Sequence, residues 1–248
     1  MLEIVDSGER NIVKIDPESQ ASLRGRIVLT GSDNSIRIAS GCSSTDGLYV
    51  ELGSSCSITI DPRCTLGALF VYGARDAHVQ VGADSGFNGS VRLLMHEPGR
   101  IDIGYGCLFA GETDLSISDM HSLVDVDTGR RINPPADIRV GDRVWLGQRA
   151  NVLKGAQLGD GCVVGAGSIV RGTLPTNTVC AGVPAKVVRT GVTWRFDLLP
   201  LDGDEPKAAR RNGAEATAPV ADGPATVEVI LPAEGLRATF AKFRRRPL

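Results

Sequence analysis

A chain of 248 residues, 42% of them hydrophobic, can fill a core, but aromatic residues make up only 4% and there are 30 glycines. Small and aliphatic side chains crossed by frequent turns must therefore build that core, and a regular β architecture fits this composition. The net charge of -2 supplies no basic field for sequence-independent phosphate binding, so nucleic acid is excluded as an expected partner.

The chain starts Met1-Leu2-Glu3-Ile4-Val5-Asp6, without a basic leader, and no apolar run is long enough to cross a bilayer. A cytoplasmic protein is expected. A coil built on a six-residue repeat is expected to begin near Leu29, with aliphatic anchors first at Ile38, Leu52 and Ile58. The same phase continues through Val81, Phe87 and Leu93, then through Ile103, Phe109 and Leu115. Four extra residues must bulge out around His96-Glu97-Pro98-Gly99. A longer excursion, His121 to Asp137, breaks the phase before Val140. Such departures from a rigid repeat are where sites are usually carried.

From Val140 the pattern is strict: Val140, Leu146, Val152, Leu158, Val164 and Val170 recur every six residues. Gly141, Gly147, Gly159 and Gly165 follow four of these anchors, and the fourth step is small or β-branched. Six is an even number, so the anchors share one side of successive strands, and the glycine supplies the corner. Three strands per turn make a triangular prism. Eight or nine coils at ~4.8 Å each would be about 40 Å long.

Cys42, Cys56, Cys107 and Cys162 fall in the slot for small inward side chains, and the six cysteines contain no Cys-x-x-Cys pair, so they read as structural thiols. After Arg189, Thr193 to Leu199 is expected to cap the last coil. The expected domains are the coil over 1–200, a flexible linker over 201–225 and a basic amphipathic tail over 226–248, with Leu236, Phe240 and Phe243 at helical spacing. Docking on its own oligomer or solvation is expected of that tail; a membrane-surface anchor is the alternative.

The stretch from Ile138-Arg139-Val140-Gly141-Asp142-Arg143-Val144-Trp145-Leu146-Gly147, through Val164-Gly165-Ala166-Gly167-Ser168, to Ala181-Gly182-Val183-Pro184-Ala185-Lys186-Val187-Val188-Arg189 resembles the hexapeptide-repeat acetyltransferases. The nearest kinds are the sugar and polysaccharide O-acetyltransferases and the maltose, galactoside and xenobiotic acetyltransferases. The resemblance runs from about Ile101 to Arg189. It implies an all-β fold, a left-handed parallel β-helix, assembled as a homotrimer with active sites between subunits. It also implies acetyl-coenzyme A as donor, a carbohydrate or other small hydroxyl as acceptor, and no metal.

On the family pattern His121, at the head of the excursion, is the general base. Neutral imidazole suits removal of a proton from a weakly acidic hydroxyl. The family's asparagine one coil before the histidine is replaced here by Glu112, which either orients the imidazole, binds the acceptor, or is an exposed turn residue. Asp119 is a second candidate for the orienting role. The donor is expected to meet Trp145, Gly147, Gln148, Ala166, Arg171, Lys186 and Arg189, with Lys186 and Arg189 on its phosphates. Trp145 read without the family is a packing residue at a corner. An N-acetyltransferase acting on an amino sugar or sugar nucleotide is the alternative; a γ-carbonic anhydrase, which needs three zinc-bound histidines, and a non-catalytic scaffold are more distant.

Overall fold

The computed structural model describes residues 1–200 and the backbone of Val227–Val229. The expected linker over 201–225 and, apart from that strand, the expected tail over 226–248 lie outside the described residues.

Three parallel sheets form the sides of a prism. The first face stacks Leu2–Asp6, Gly25–Leu29, Leu48–Ser54, Ala68–Arg75, Ser90–Met95, Thr113–Ser116, Asn151–Leu153 and Ile169–Val170. The second runs from Ile12–Ile15 through Ser35–Ile38, Ser57–Ile60, Ala77–Val81, Gly99–Ile103, Ile138–Val140 and Gln157–Leu158 to Thr173–Leu174. The third comprises Gly86–Phe87, Leu108–Phe109, Trp145–Leu146, Val163–Val164, Thr178–Ala181 and Lys186–Thr190. The turns are those of a left-handed β-helix.

Alternation places every second side chain inside, as at Ile36 and Ile38, Ile58 and Ile60, or Ile101 and Ile103, all buried. Each such aliphatic side chain contributes about 1.5–3 kcal/mol by leaving water. Phe87 and Phe109, stacked on neighbouring coils, meet edge to face with centroids 5.1 Å apart. All six cysteines are buried and none is in a disulfide, as their slots imply.

The coil begins earlier than the repeat suggests. Leu2 pairs with Gly25 and Gly25 with Leu48, the same step of 23 residues that separates the hydrogen-bonded Asn11 and Asn34. Arg92 pairs with Asp114, 22 residues on. Only beyond the excursion do turns shorten. Asn151 lies opposite Ile169, a step of 18 residues shared by Asp142 and Asp160, and Val163 lies opposite Val179, a step of 16 residues shared by Cys162 and Thr178. The N-terminal turns place the surplus at corners. One corner holds the helix Pro17–Ser22, started by Pro17 and by Asp16 accepting from the Glu18 amide at 3.0 Å. His78 lies opposite Arg100.

The residues after the last coil also differ in arrangement from the expected cap. Lys186–Thr190 turns back antiparallel along Thr178–Ala181. Trp194, 8% exposed, sits beside Arg143 of an earlier coil, to whose carbonyl its indole N–H donates at 2.6 Å. At the other end of the prism Val227–Val229 pairs antiparallel with Ile12–Ile15.

Candidate active site

The excursion leaves the first face after Ile117 and rejoins the second face at Ile138, both fully buried. Between them Val124 bridges Arg131 in a small hairpin, closed by Asp125, whose carboxylate accepts from the amide and hydroxyl of Thr128 at 2.8 and 2.7 Å. His121 stands exposed at the root of this excursion.

Ionic and amide contacts tie that root to the prism. Asp119 accepts from Lys154 Nζ and, at 2.8 Å, from Asn133 Nδ2. Arg131 forms a two-pronged pair with Glu97 at 2.6 and 2.7 Å. Lys154 holds the Asp119 carboxyl below the usual carboxylate range, with Asn133 adding to the effect, and Arg131 does the same for Glu97. Because both groups are depressed in the folded chain, their contribution is complete above their unfolded pKa values and is lost as pH falls through the folded ones. The window lies below about pH 4. Hydrogen exchange across 119–133 should accelerate between pH 6 and pH 3, after correction for intrinsic rates, before the coil amides lose protection. Equal protection of the loop at both pH values would rule this anchoring out.

Asp119 thus directs its carboxylate to Lys154 and Asn133, and its link to His121 is through the backbone, the His121 amide donating to the Asp119 carbonyl at 2.7 Å. Glu112 occupies another corner. It shares a coil with His121 instead of preceding it by one, and the strand Thr113–Ser116 separates the two across the first face. At its own corner Glu112 accepts from Arg149 Nε at 2.8 Å and Gln148 Nε2 at 3.0 Å. Arg149 and then Gln148 hold it below the ordinary carboxylate range, so it is a poor proton acceptor near neutrality.

The expected donor residues fall into three groups. Gly147, Gln148 and Ala166 share the Glu112 corner on successive coils; the Gly147 amide donates to the Val164 carbonyl at 2.8 Å. A Cβ at Gly147 would lie 2.7 Å from the Ala166 nitrogen, so close coil stacking alone requires this glycine. Trp145, 39% exposed, faces outward from the third face with its ring 6.0 Å from that of Trp194. Lys186 and Arg189 are exposed on the final strand, and Arg171 is exposed where the first face turns toward the second. Among the described residues none of these three cations is held in an ion pair, so all can meet anionic groups. A groove of about 490 Å³ along the second face, lined by Asp102, Arg139, Gln157 and Thr173, includes none of the expected site residues.

Lys154, Asn133, Arg131 and Arg149 were not expected at the site. Their partners are 14 to 37 residues away in the chain. Only Asn133, directly before Pro134-Pro135, carried a local turn signal.

Among the described residues no helix is long and apolar enough to cross a membrane, and no group of three or more His, Cys, Asp or Glu side chains is placed to hold a metal ion.

Residues 137–172 match the family described as bacterial transferase hexapeptide (six repeats). A polysialic acid O-acetyltransferase of Escherichia coli O1:K1 is 31% identical over 162 residues, covering 65% of this chain and 50% of that protein. Galactoside O-acetyltransferase of Escherichia coli K12 is 32% identical over 122 residues, covering 48% of this chain and 57% of its own length. The chain thus spans about half the length of these curated relatives. Among solved structures, the polysialic acid O-acetyltransferase OatWY superposes with a TM-score of 0.73 at 26% identity, over 85% of this chain and 99% of that one. In its repeat motif and in its fold this chain is similar to the hexapeptide-repeat acetyltransferases.

Proposed function

We propose that this protein transfers an acetyl group from acetyl-coenzyme A to a hydroxyl of a carbohydrate or glycan, with His121 as general base. The observation that carries the reading is the position of His121, exposed at the root of an excursion that five polar side chains pin to the prism. The relatives named for O-acetylation of polysialic acid and of galactosides support the acceptor class.

The donor supplies an activated acyl group as a thioester. The His121 imidazole takes the acceptor's hydroxyl proton as the oxygen attacks the acyl carbon; an ester bond forms, the thioester C–S bond breaks, and the proton passes to the departing thiolate. Lys186 and Arg189 offer charge to phosphates, and Trp145 and the Gln148–Ala166 corner offer a surface for the pantetheine arm. Glu112 aligns Gln148 and Arg149 through its hydrogen bonds.

The site is completed by neighbouring copies in a homotrimer. Met120, Leu123, Val124, Val126 and Ile132 are exposed on the excursion, Val126 at 95%, an apolar surface suited to cover by a second prism. Light scattering at micromolar concentration should give three times the chain mass; a monomer would remove the intersubunit site.

The direct test is an acceptor screen with labelled acetyl-coenzyme A across free sugars, nucleotide sugars and oligosaccharides. Label should enter a base-labile ester. Transfer only to amines, as alkali-stable amide, would replace O-acetylation by N-acetylation, and no transfer to any acceptor would sink the enzymatic reading.

A further inference from the structure

From His121 to Asp137 one side chain is buried: Asn133 is 5% exposed, while Leu123, Val124 and Ile132 are open to solvent. Its amide uses its full hydrogen-bonding capacity. Nδ2 donates to the His121 carbonyl and to Asp119 Oδ2, each at 2.8 Å, and Oδ1 accepts from the Leu123 amide at 2.8 Å and Arg131 Nε at 3.1 Å. The side chain therefore grips residues 119, 121 and 123, the two alternate neighbours of His121 and His121 itself. Arg131, which also donates to the Asn133 carbonyl at 2.9 Å, extends the grip to Glu97 at the same corner of the preceding coil.

A second feature lies inside this grip. Met120 has φ of +61°, the only apolar residue among the non-glycine residues in the left-handed region in the described chain. Such a conformation costs energy for a residue with a Cβ and persists where its surroundings enforce it. The Asn133 bonds bracket that peptide on both sides, at Asp119 and at the His121 carbonyl.

We infer that Asn133 is a positioning residue for His121: it fixes the backbone from which the imidazole projects, so that the ring meets the acceptor hydroxyl without an ordering cost at each turnover. The inference rests on His121 being the base. It separates the roles of the two polar residues near His121, Asp119 anchoring the segment to Lys154 and Asn133 setting its conformation.

The test uses the full chain with Asn133→Ala and Asn133→Asp. The aspartate keeps the volume but loses both donors and sets a second carboxylate against Asp119 and the His121 carbonyl. Both variants should lower kcat on the order of 10- to 100-fold, leave donor Kd within about twofold, and displace the pH dependence of kcat, with little change in melting of the prism. Asn133→Asp should fare no better than Asn133→Ala, since shape alone does not restore the bonds. Added to His121→Ala, either substitution should cost nothing further.

Parental kcat in both variants, or a loss that follows donor affinity or melting, would overturn the role. So would a full additional loss in the double variant. The outcome for His121→Ala alone is read separately: if that variant turns over like the parent the base is misassigned, whereas an inactive His121→Ala beside a fully active Asn133→Asp refutes the positioning role only.

Discussion

His121→Ala should leave only a small residual turnover while the variant assembles and binds donor as the parent does. Loss of a positioned general base costs on the order of 100- to 10,000-fold, and the loss appears in kcat because the acceptor proton has no other recipient in the transition state. Donor binding is spared because the groups assigned to it, from Trp145 to Arg189, lie on later coils, and among the described residues the His121 side chain makes no hydrogen bond to the prism. Calorimetry with coenzyme A and thiol release with the acceptor returned by the screen measure the two quantities side by side. A variant keeping more than about a tenth of parental kcat would discharge His121 from the role. Glu112 is then a weak substitute, since Arg149 and Gln148 keep it ionised and engaged.

The second large effect is on stability. Phe109→Ala should destabilise the protein by about 3–5 kcal/mol, the usual cost of emptying a fully buried aromatic site. Phe109 is 1% exposed and its ring meets Phe87 on the preceding coil, so the cavity opens between turns, where strands held by backbone ladders have little freedom to close it. In a stacked solenoid each turn is supported chiefly by its neighbours, and a weakened contact near the middle divides the cooperative unit. Urea unfolding at one fixed protomer concentration should show a lower midpoint, whereas Leu198→Ala, at a position 99% exposed, should stay within about 0.5 kcal/mol of the parent. A loss below about 1 kcal/mol at Phe109 would mean that the core repacks across turns.

The coil was legible in the sequence where its turns are short. From Val140 to Val170 the short turns keep the anchors in phase, and the glycine that follows four of the six anchors is packed against the next coil. Upstream, the longer turns displace the phase at each corner, so the coil from Leu2 to Leu29 went unread although its strands alternate in the same way. The excursion that begins at His121 was legible because it breaks the repeat. The supports of that excursion were not: Asn133 and Lys154 meet Asp119, and Glu97 meets Arg131, only once the chain has folded back, and hydrogen bonds spanning 14 to 35 residues leave no periodic trace. Glu112 is nine residues before His121, too few for a full coil, so the two stand at successive corners of one turn.

Both described ends of the prism finish with a reversal. Lys186–Thr190 closes the third face and Val227–Val229 closes the second, each running against the strand it joins. Parallel and antiparallel ladders space their amide and carbonyl groups differently, so a reversed final strand presents an edge that the parallel coil of another prism cannot extend in register. A column of coils could otherwise grow by end-to-end addition, every turn serving as template for the next. Here each described end carries such a stop on one of its three sides, and a further prism stacking there would meet a reversed edge on that side.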